Sequence, residues 1–466
     1  MKSLFQVNVN WYGLFGFAIA ILLIAPGVSL PAFVALMIAA FQFLLLFYSF
    51  GYLIPVRYLA GSLMCVQMLV GPSFAYMGLD STQYFKYRMQ VTEWEYFSYA
   101  IPAVIAFIVG LNMFSNLRGE FVQEKKIQEY VKARPGMAYL LIGVGFSTSI
   151  ASAFFSSAFD LVFFLLGSFK FIGAFLLIIG GMRLKPLPLA VVFGSIILSS
   201  LGSAMFHDLL TWFIFLLAVL ALKYKPAVPV KAAVGIGFIL LVVIIQQLKG
   251  VYREATQFQG KEGNADVFGD VYQQQSDKGG FFDKASLAQS NVRINQGFIV
   301  TYILKNIPAN EPHANGEELY KILEAAFLPR FLAPDKLKAG DNTLFTKYSG
   351  IPLREGTSMS LSALGDGYIN FGYAGGCFFM MALGGLFNFV LTRFHKISQH
   401  YPVAILFTPL VFYFPIRPDT ALQTGLGHLV KACFLLYMIY VFYKQQFYVK
   451  PGRRVVREEL KMTDGS

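Results

Sequence analysis

Two basic residues stand near two prolines in the segment Phe327-Leu-Pro-Arg-Phe-Leu-Ala-Pro-Asp-Lys336, a spacing that suits the binding of a diphosphate. The guanidinium of Arg330 can donate two parallel hydrogen bonds to phosphate oxygens, and the ammonium of Lys336 adds a compact positive charge. An ordinary solvated loop would have the same composition. The segment is therefore a candidate anion site with a structural alternative.

Two further arginines are candidates for the same chemistry. Arg293 opens the part of a long polar segment that has a helical pattern, and Arg417 begins the turn Arg417-Pro-Asp419. Each arginine could contact a phosphate, or Arg417 and Asp419 could form a structural ion pair within their turn. Arg417 is predicted to lie on the same side of the molecule as Arg330, so the two could face one cavity.

The candidate proton acceptors are Asp366 and His207. Asp366 stands among glycines, which allow a backbone to approach a ligand closely, and its carboxylate could accept a proton from a hydroxyl group. It could equally cap a helix that begins near Gly367. His207, which Asp208 follows, could act as an acid or a base, or the two residues could cap the helix that they begin.

The elements that must position these residues are membrane helices. Of the 466 residues, 56% are hydrophobic and 14% charged, whereas ordinary soluble domains have about 25% charged residues. The net charge of +12 lies mostly in short loops and the C-terminal tail, where it sets membrane topology and does not indicate nucleic-acid binding. The sequence has no P-loop, GxSxG or HExxH motif, and its three cysteines and five histidines lack metal-ligand spacing. We therefore expect no metal and no cofactor.

The hydropathy pattern predicts an all-α integral membrane protein with about twelve transmembrane helices, because each span needs about 20 mostly apolar residues. The predicted spans are 11–26, 29–54, 59–78, 96–115, 137–156, 159–180, 186–204, 207–222, 229–248, 367–392, 402–416 and 426–443. With a cytoplasmic N-terminus, inside loops and tails hold 20 lysines and arginines, while short outside loops hold only Lys86, Arg88 and Arg417. The positive-inside rule then predicts that both termini are cytoplasmic, and we interpret the first span as retained rather than cleaved as a signal.

One long polar stretch interrupts this pattern. The predicted regions are an N-terminal membrane bundle of about nine spans (1–248), a large external loop (249–366), about three C-terminal membrane helices (367–443) and a basic cytoplasmic tail (444–466). Residues 251–292 have few aliphatic side chains and are expected to form a mobile surface segment. Beyond them, Asn315 and Glu318 have the spacing of a capping box, which predicts that a helix begins there.

The order of these features resembles the bacterial oligosaccharide repeat-unit polymerases, the O-antigen polymerase (Wzy-type) family. The resemblance rests on a run of membrane helices, a large external loop and Leu-Pro-Arg followed by Pro-Asp-Lys336. Thr357-Ser-Met-Ser then leads to Gly365-Asp-Gly-Tyr-Ile-Asn-Phe-Gly-Tyr-Ala-Gly375. The family more often has Gly-Glu-x-Tyr-x-Asn-Phe-Gly at this point, so the carboxylate of Asp366 is one methylene shorter.

The resemblance implies a GT-C-like polymerase or ligase architecture and glycosyl transfer without nucleotide or metal. The donor would be a glycan on undecaprenyl diphosphate, and the acceptor a second lipid-linked repeat unit, at the outer, periplasmic or extracellular face of a bacterial inner membrane. The product would be O-antigen, capsule or exopolysaccharide, and a flippase and a chain-length regulator are candidate partner proteins. The implied roles are diphosphate binding by Arg330, Lys336 and Arg417, with Arg293 a further candidate, proton transfer by Asp366 or His207, and sugar binding or bracing by Tyr368, Asn370 and Asp419.

Three other activities fit parts of the pattern. An O-antigen ligase-like transferase would share the architecture and the donor but use a different acceptor. A lipid-linked oligosaccharide flippase or another transporter would move the substrate rather than join it. Transporters usually have repeated halves and short loops, whereas this chain has one large insert and no visible half-repeat. A non-catalytic subunit of a synthase complex is the third alternative.

Overall fold

The computed structural model describes residues 11–80, 87–113, 120–155, 159–181, 185–258, 263–277, 280–328, 336–337, 342–353 and 359–448. Helices account for the regular structure of these residues, and none of them lies in a β-strand. The predicted all-α class is therefore confirmed.

Ten helical segments within the described part of the chain are long and apolar enough to cross a membrane. They consist of α2 (Leu30–Ser49), α3 (Val56–Cys65) joined by a π turn (Val66–Val70) to α4 (Gly71–Tyr76), α5 (Glu93–Asn112), α7 (Met137–Ala151) with a short 3₁₀ extension, α8 (Asp160–Gly167) leading into α9 (Phe169–Gly180), α10 (Pro186–Ser203), α11 (His207–Tyr224), α12 (Val228–Arg253), α18 (Ser362–Ser398) and α20 (Leu422–Phe447). Two shorter apolar helices, α1 (Trp11–Ile24) and the segment Pro402–Val411 that ends in α19 (Thr408–Val411), correspond to the other two predicted spans. The chain is thus a multi-pass membrane protein, and its orientation stays a prediction.

The polar insert between α12 and α18 is largely helical. It contains α13 (Ala265–Asp277), α14 (Lys284–Ile294), α15 (Gly297–Asn306), α16 (Glu317–Phe327) and α17 (Asn342–Ser349), whereas α6 (Glu124–Ala133) belongs to an earlier loop. The described part of 251–292, expected to be a mobile surface segment, is therefore mostly helix. At the two ends of the insert, α12 continues to Arg253 and α18 begins at Ser362, so both helices extend into the predicted loop of 249–366.

Neither Asp366, for which a cap was one alternative, nor Asn315, the predicted cap of the next insert helix, caps a helix. Asp366 lies inside α18, one turn beyond its first residue, so it does not cap that helix. Asn315 and Gly316 both have positive φ angles, of 48° and 93°, and α16 begins after them without a side-chain cap. Glu318, the expected partner of Asn315, instead accepts hydrogen bonds from Lys321 at 3.1 Å and from the Tyr348 hydroxyl at 3.2 Å.

Glycines set the closest contact between two membrane helices, α5 and α18. A Cβ atom on Gly110 would lie 2.1 Å from the carbonyl oxygen of Met381, and one on Gly384 would lie 2.2 Å from that of Phe107. Small residues allow helix backbones in a membrane to approach this closely, which gives extensive van der Waals contact. This pair of helices forms the packed centre against which α3 and the insert helix α15 are placed.

Candidate functional site

A cavity of ≈ 2030 Å³ lies between the membrane helices α2, α3, α11 and α12 and the insert helix α14. Its wall within the membrane is apolar and aromatic, for example Phe47 of α2, Ile214 of α11 and Val242 of α12. The polar side chains concentrate at the end nearest the insert. They include Gln67, His207, Lys249, Arg293, Arg417 and Asp419.

The length of the apolar part of the cavity is close to the thickness of the hydrocarbon core of a bilayer. Lys231 and Lys249 of α12 both line it, and 18 residues of helix separate them by about 27 Å at 1.5 Å per residue. The hydrocarbon core of a bilayer is about 30 Å thick. Residues of α12 between the two lysines are exposed, including Ile236 and Ile239, each 60% accessible. The cavity is therefore a bilayer-length apolar slot with a group of cations at the insert end and the single cation Lys231 at the other end.

Arg417 and Asp419 form the ordered centre of the insert end. Arg417 Nη2 donates to Asp419 Oδ2 at 3.3 Å, and Gln67 Nε2 donates to Asp419 Oδ1 at 3.4 Å. Burial by itself would raise the pKa of Asp419, but the Arg417 guanidinium and the Gln67 amide outweigh burial and lower the pKa below its usual value. The carboxylate is thus ionised and fixes one edge of the guanidinium. Arg417 Nη1 is buried and has no hydrogen-bond partner among the described residues.

Further cations surround this pair. Lys249 lies within electrostatic range of Arg253, Arg293, Arg417 and Asp419. Arg293 packs against α12 at Gly250, where a Cβ atom would lie 2.7 Å from Arg293 Nη2. Counted over the whole cavity, five lysine or arginine side chains and two aspartates are part of the lining. Three of these cations, Lys231, Lys249 and Arg417, are half-buried, whereas Lys284 and Arg293 are exposed. Partly buried positive charge is stabilised by a nearby anion.

His207 lines the same cavity as a member of a hydrogen-bonded group. Its Nε2 lies 2.6 Å from Asp208 Oδ1, and the Tyr413 hydroxyl donates to that same carboxylate oxygen. The alternative that His207 and Asp208 cap the helix does not hold, because Phe206 precedes α11 and no side chain caps it. Asp208 holds the imidazole at Nε2, which leaves Nδ1 as the ring nitrogen that could accept a proton.

Asp366, Tyr368 and Asn370 do not line the cavity. Gly372, with φ 65° and ψ −156°, kinks α18, and carbonyl groups just before the kink accept from donors of the insert. The Tyr368 carbonyl accepts from His313 Nδ1 at 3.0 Å, and Asn370 Oδ1 accepts from the Leu319 amide at 3.0 Å. Tyr368 and Asn370 therefore brace the insert against α18. Asp366 is buried near Glu318.

Lys336 has a different environment from the one that its spacing suggests. Its ammonium donates to the carbonyl oxygens of Ala325, at 3.2 Å, and Leu328. It thereby satisfies carbonyl groups at the C-terminus of α16, where a cation also interacts favourably with the helix dipole. Arg330, the other cation of that segment, lies outside the described residues.

Four of the predicted residues thus line one cavity, namely His207, Arg293, Arg417 and Asp419. Sequence reasoning missed three neighbours that complete the group. Lys249 could have been noticed in the sequence, because it follows a long apolar run that begins after Lys231. Gln67 is a lone amide within an apolar helix, and Tyr413 lies in an aromatic run with nothing to distinguish it.

A search of the described residues finds no group of three or more histidine, cysteine, aspartate or glutamate side chains that could hold a metal ion. The arrangement instead presents guanidinium, ammonium, imidazole and amide groups beside an apolar slot. Comparison with models of known protein families, with curated proteins and with solved structures finds no match to this chain.

Proposed function

We propose that this protein binds a polyprenyl-diphosphate-linked glycan in the cavity and transfers the glycan to a second lipid-linked repeat unit. The proposal rests on one observation. A bilayer-length apolar slot and a group of cations at its insert end belong to the same cavity. A substrate that fits both parts has a long hydrocarbon chain and an anionic headgroup. The resemblance to the Wzy-type polymerases supports the same substrate class.

In this proposal, Arg417, Lys249 and Arg293 bind the diphosphate. The free Nη1 of Arg417 supplies a buried donor, and charge-assisted hydrogen bonds from arginine to phosphate are the strong ones. As the bond between the anomeric carbon and the diphosphate oxygen breaks, negative charge grows on the leaving group. Donors that already point at this position stabilise the transition state without reorganisation.

His207 is the proposed base. It accepts the proton of the acceptor hydroxyl while that oxygen forms the new bond to the anomeric carbon, and Asp208 stabilises the imidazolium. Asp366 is the less favoured base in this proposal, because it does not line the cavity. Its burial suits a structural role where the insert meets α18.

One observation favours the transporter alternative. The slot has a cation at each end, since Lys231 lines it about 27 Å from Lys249, and a headgroup that crosses the membrane would meet both. The Lys231 ammonium, however, donates to the Phe50 carbonyl at 2.6 Å, which engages it with the protein. A lipid movement assay separates the two functions.

The test uses purified protein in vesicles with lipid-linked repeat units. We expect products longer than one unit, and Arg417→Ala should lower their rate of formation by roughly 10²–10³-fold, as for lost transition-state donors in other enzymes. Arg393→Ala is the matched control, because Arg393 lies over the Phe389 ring of α18 and not in the cavity lining. Movement of lipid across the bilayer without chain extension would replace this proposal with transport. Wild-type rates for Arg417→Ala, Lys249→Ala and His207→Ala would overturn the site assignment.

A further inference from the structure

The insert helix α16 has apolar residues on two opposite faces. Its buried face, which includes Ile322 and Ala326, packs against α20 and α18. The other face carries Tyr320, Leu323 and Phe327, with accessibilities of 70%, 38% and 55%. These three positions fall on one side of a helix because they follow the i, i+3, i+7 spacing. We call them the outer stripe of α16.

The position of α16 relates this stripe to the membrane. At its start, a Cβ atom on Gly316 would lie 3.5 Å from the ring of Phe371 in α18. At its end, Ala326 lies against Gly427 of α20, where a Cβ atom would be 3.7 Å from the Ala326 Cα. Gly427 is five residues beyond the first residue of α20, or about 7.5 Å along that helix. The helix therefore lies beside two membrane spans, α18 and α20. Its C-terminal end contacts α20 inward of the end of α20 that is nearest the insert.

The outer stripe is continuous with the lipid-facing surface of those spans. Phe371 and Tyr373, at the kink of α18, are 42% and 45% accessible, and Phe378, further along the helix, is 68% accessible. Membrane-spanning helices leave such residues exposed because lipid covers them, and tyrosines concentrate where the hydrocarbon meets the headgroups. The lipid that covers Phe371 therefore also reaches the beginning of α16.

We propose that α16 is an interfacial helix whose outer stripe inserts into the lipid headgroup and acyl boundary. Amphipathic helices of this kind lie about 5–10 Å deep in the boundary, and Ala326 contacts α20 beyond the first residue of that helix rather than before it. Lys321 faces about 100° away from Tyr320 around the helix, and its ammonium pairs with Glu318 at 3.1 Å. The helix would fix the insert to the bilayer surface on the side where the cavity has its group of cations.

Spin labels test this surface without an activity measurement. Single cysteines replace Tyr320, Leu323 or Phe327 in a background with Cys65→Ala, Cys377→Ala and Cys433→Ala, after that background is shown to keep the wild-type melting temperature. Controls carry the label at Lys321, on another side of the same helix, or at Gln273 on the exposed polar surface of α13. Each labelled protein is reconstituted into vesicles of phosphatidylcholine and phosphatidylglycerol.

We expect the three outer-stripe labels to collide mainly with dissolved oxygen, which partitions into lipid, and the two controls mainly with a water-soluble nickel chelate. Equal access of the nickel chelate to the stripe and to the controls would place the stripe in water and overturn the proposal. Immobile stripe labels shielded from both reagents would mean that protein covers the stripe, which also overturns it. Neither result depends on whether the cavity performs glycosyl transfer.

Discussion

Gln67 and Asp419, 352 residues apart in sequence, are joined by a hydrogen bond of 3.4 Å from the Gln67 amide to the Asp419 carboxylate. Gln67 lies in the π turn between α3 and α4, and its backbone carbonyl also accepts from the Gln296 amide at 3.1 Å. Single π turns inside α-helices often occur at functional sites. The turn thus connects α3, the start of α15 and the loop that holds Arg417.

Replacing Gln67 with alanine should disturb the proposed diphosphate site without removing a cation. A hydrogen bond to a charged group contributes about 1.5–3 kcal/mol, and 1.4 kcal/mol corresponds to about a tenfold change in rate. We expect Gln67→Ala to slow chain extension about tenfold or more, because Asp419 loses a contact that orients Arg417. The measurement is the initial rate of product formation in vesicles.

Gln247→Ala is the control for that experiment. Gln247 is also buried and donates to the Phe281 carbonyl at 2.7 Å, but it does not line the cavity. It should lower stability while leaving the rate per folded molecule unchanged. Equal rate losses in both variants would show that Gln67 acts through general stability.

The pH dependence of stability should reveal the ionised state of Asp419. Burial opposes ionisation, yet Arg417 and Gln67 lower the pKa of this carboxyl, whereas an unfolded aspartate has a pKa of about 3.9. A group with a lowered folded pKa stabilises the protein above its unfolded pKa and loses that contribution as pH falls through the folded value. The difference in melting temperature between wild type and Asp419→Asn should therefore be constant from about pH 5 to pH 7 and shrink below about pH 4. Loss of the difference already between pH 7 and pH 5 would contradict the assignment.

Adjacent glycines in α18 provide a matched test of helix packing. A Cβ atom on Gly384 would meet the Phe107 carbonyl at 2.2 Å, whereas nothing lies within 4 Å of one on Gly385. Overpacking a tight contact typically costs about 1–3 kcal/mol, so Gly384→Ala should lower the melting temperature in detergent. Gly385→Ala should leave it unchanged or raise it, since alanine favours helix by about 1 kcal/mol. Equal effects would refute the close approach of α5 and α18.

The buried ion pair between Arg57 and Glu120 should stabilise the protein more than the exposed pair between Glu124 and Lys225. Arg57 donates to Glu120 and, at 2.7 Å, to Asn388, and the side chains of Arg57 and Glu120 are only 3% and 6% accessible. Removing one partner of such a pair costs about 3–5 kcal/mol because the other charge is left buried. We expect Glu120→Ala to destabilise the protein strongly in denaturant unfolding.

Glu124→Ala is the control for that pair, because Glu124 contacts Lys225, which is 63% accessible. Exposed ion pairs contribute about 0–1 kcal/mol. A loss of stability in Glu124→Ala as large as that in Glu120→Ala would show that burial does not set the cost.

The sequence was a good guide to the helices and a partial guide to the site. Long apolar runs predicted the spans because backbone groups in lipid must be paired within the chain, and a helix does this locally. His207, Arg417 and Asp419 stand out in the sequence because they lie beside apolar runs, and Arg293 because it opens the part of the insert with a helical pattern. Their roles in catalysis and binding stay predictions. The caps considered for Asp366 and Asn315 failed because local spacing does not contain the tertiary contacts that end and begin helices there.

By itself, the sequence determined that this is an all-helical multi-pass membrane protein with one large polar insert, because hydropathy and helix formation depend on neighbouring residues. Only the tertiary structure decided which polar residues share a cavity. It brought Gln67, Lys249 and Tyr413 to the predicted residues, held Lys336 at the end of α16, and placed Asp366 outside the cavity. The reason is that membrane helices pack through small residues and distant hydrogen bonds, so the face that each helix turns to a cavity depends on its partners.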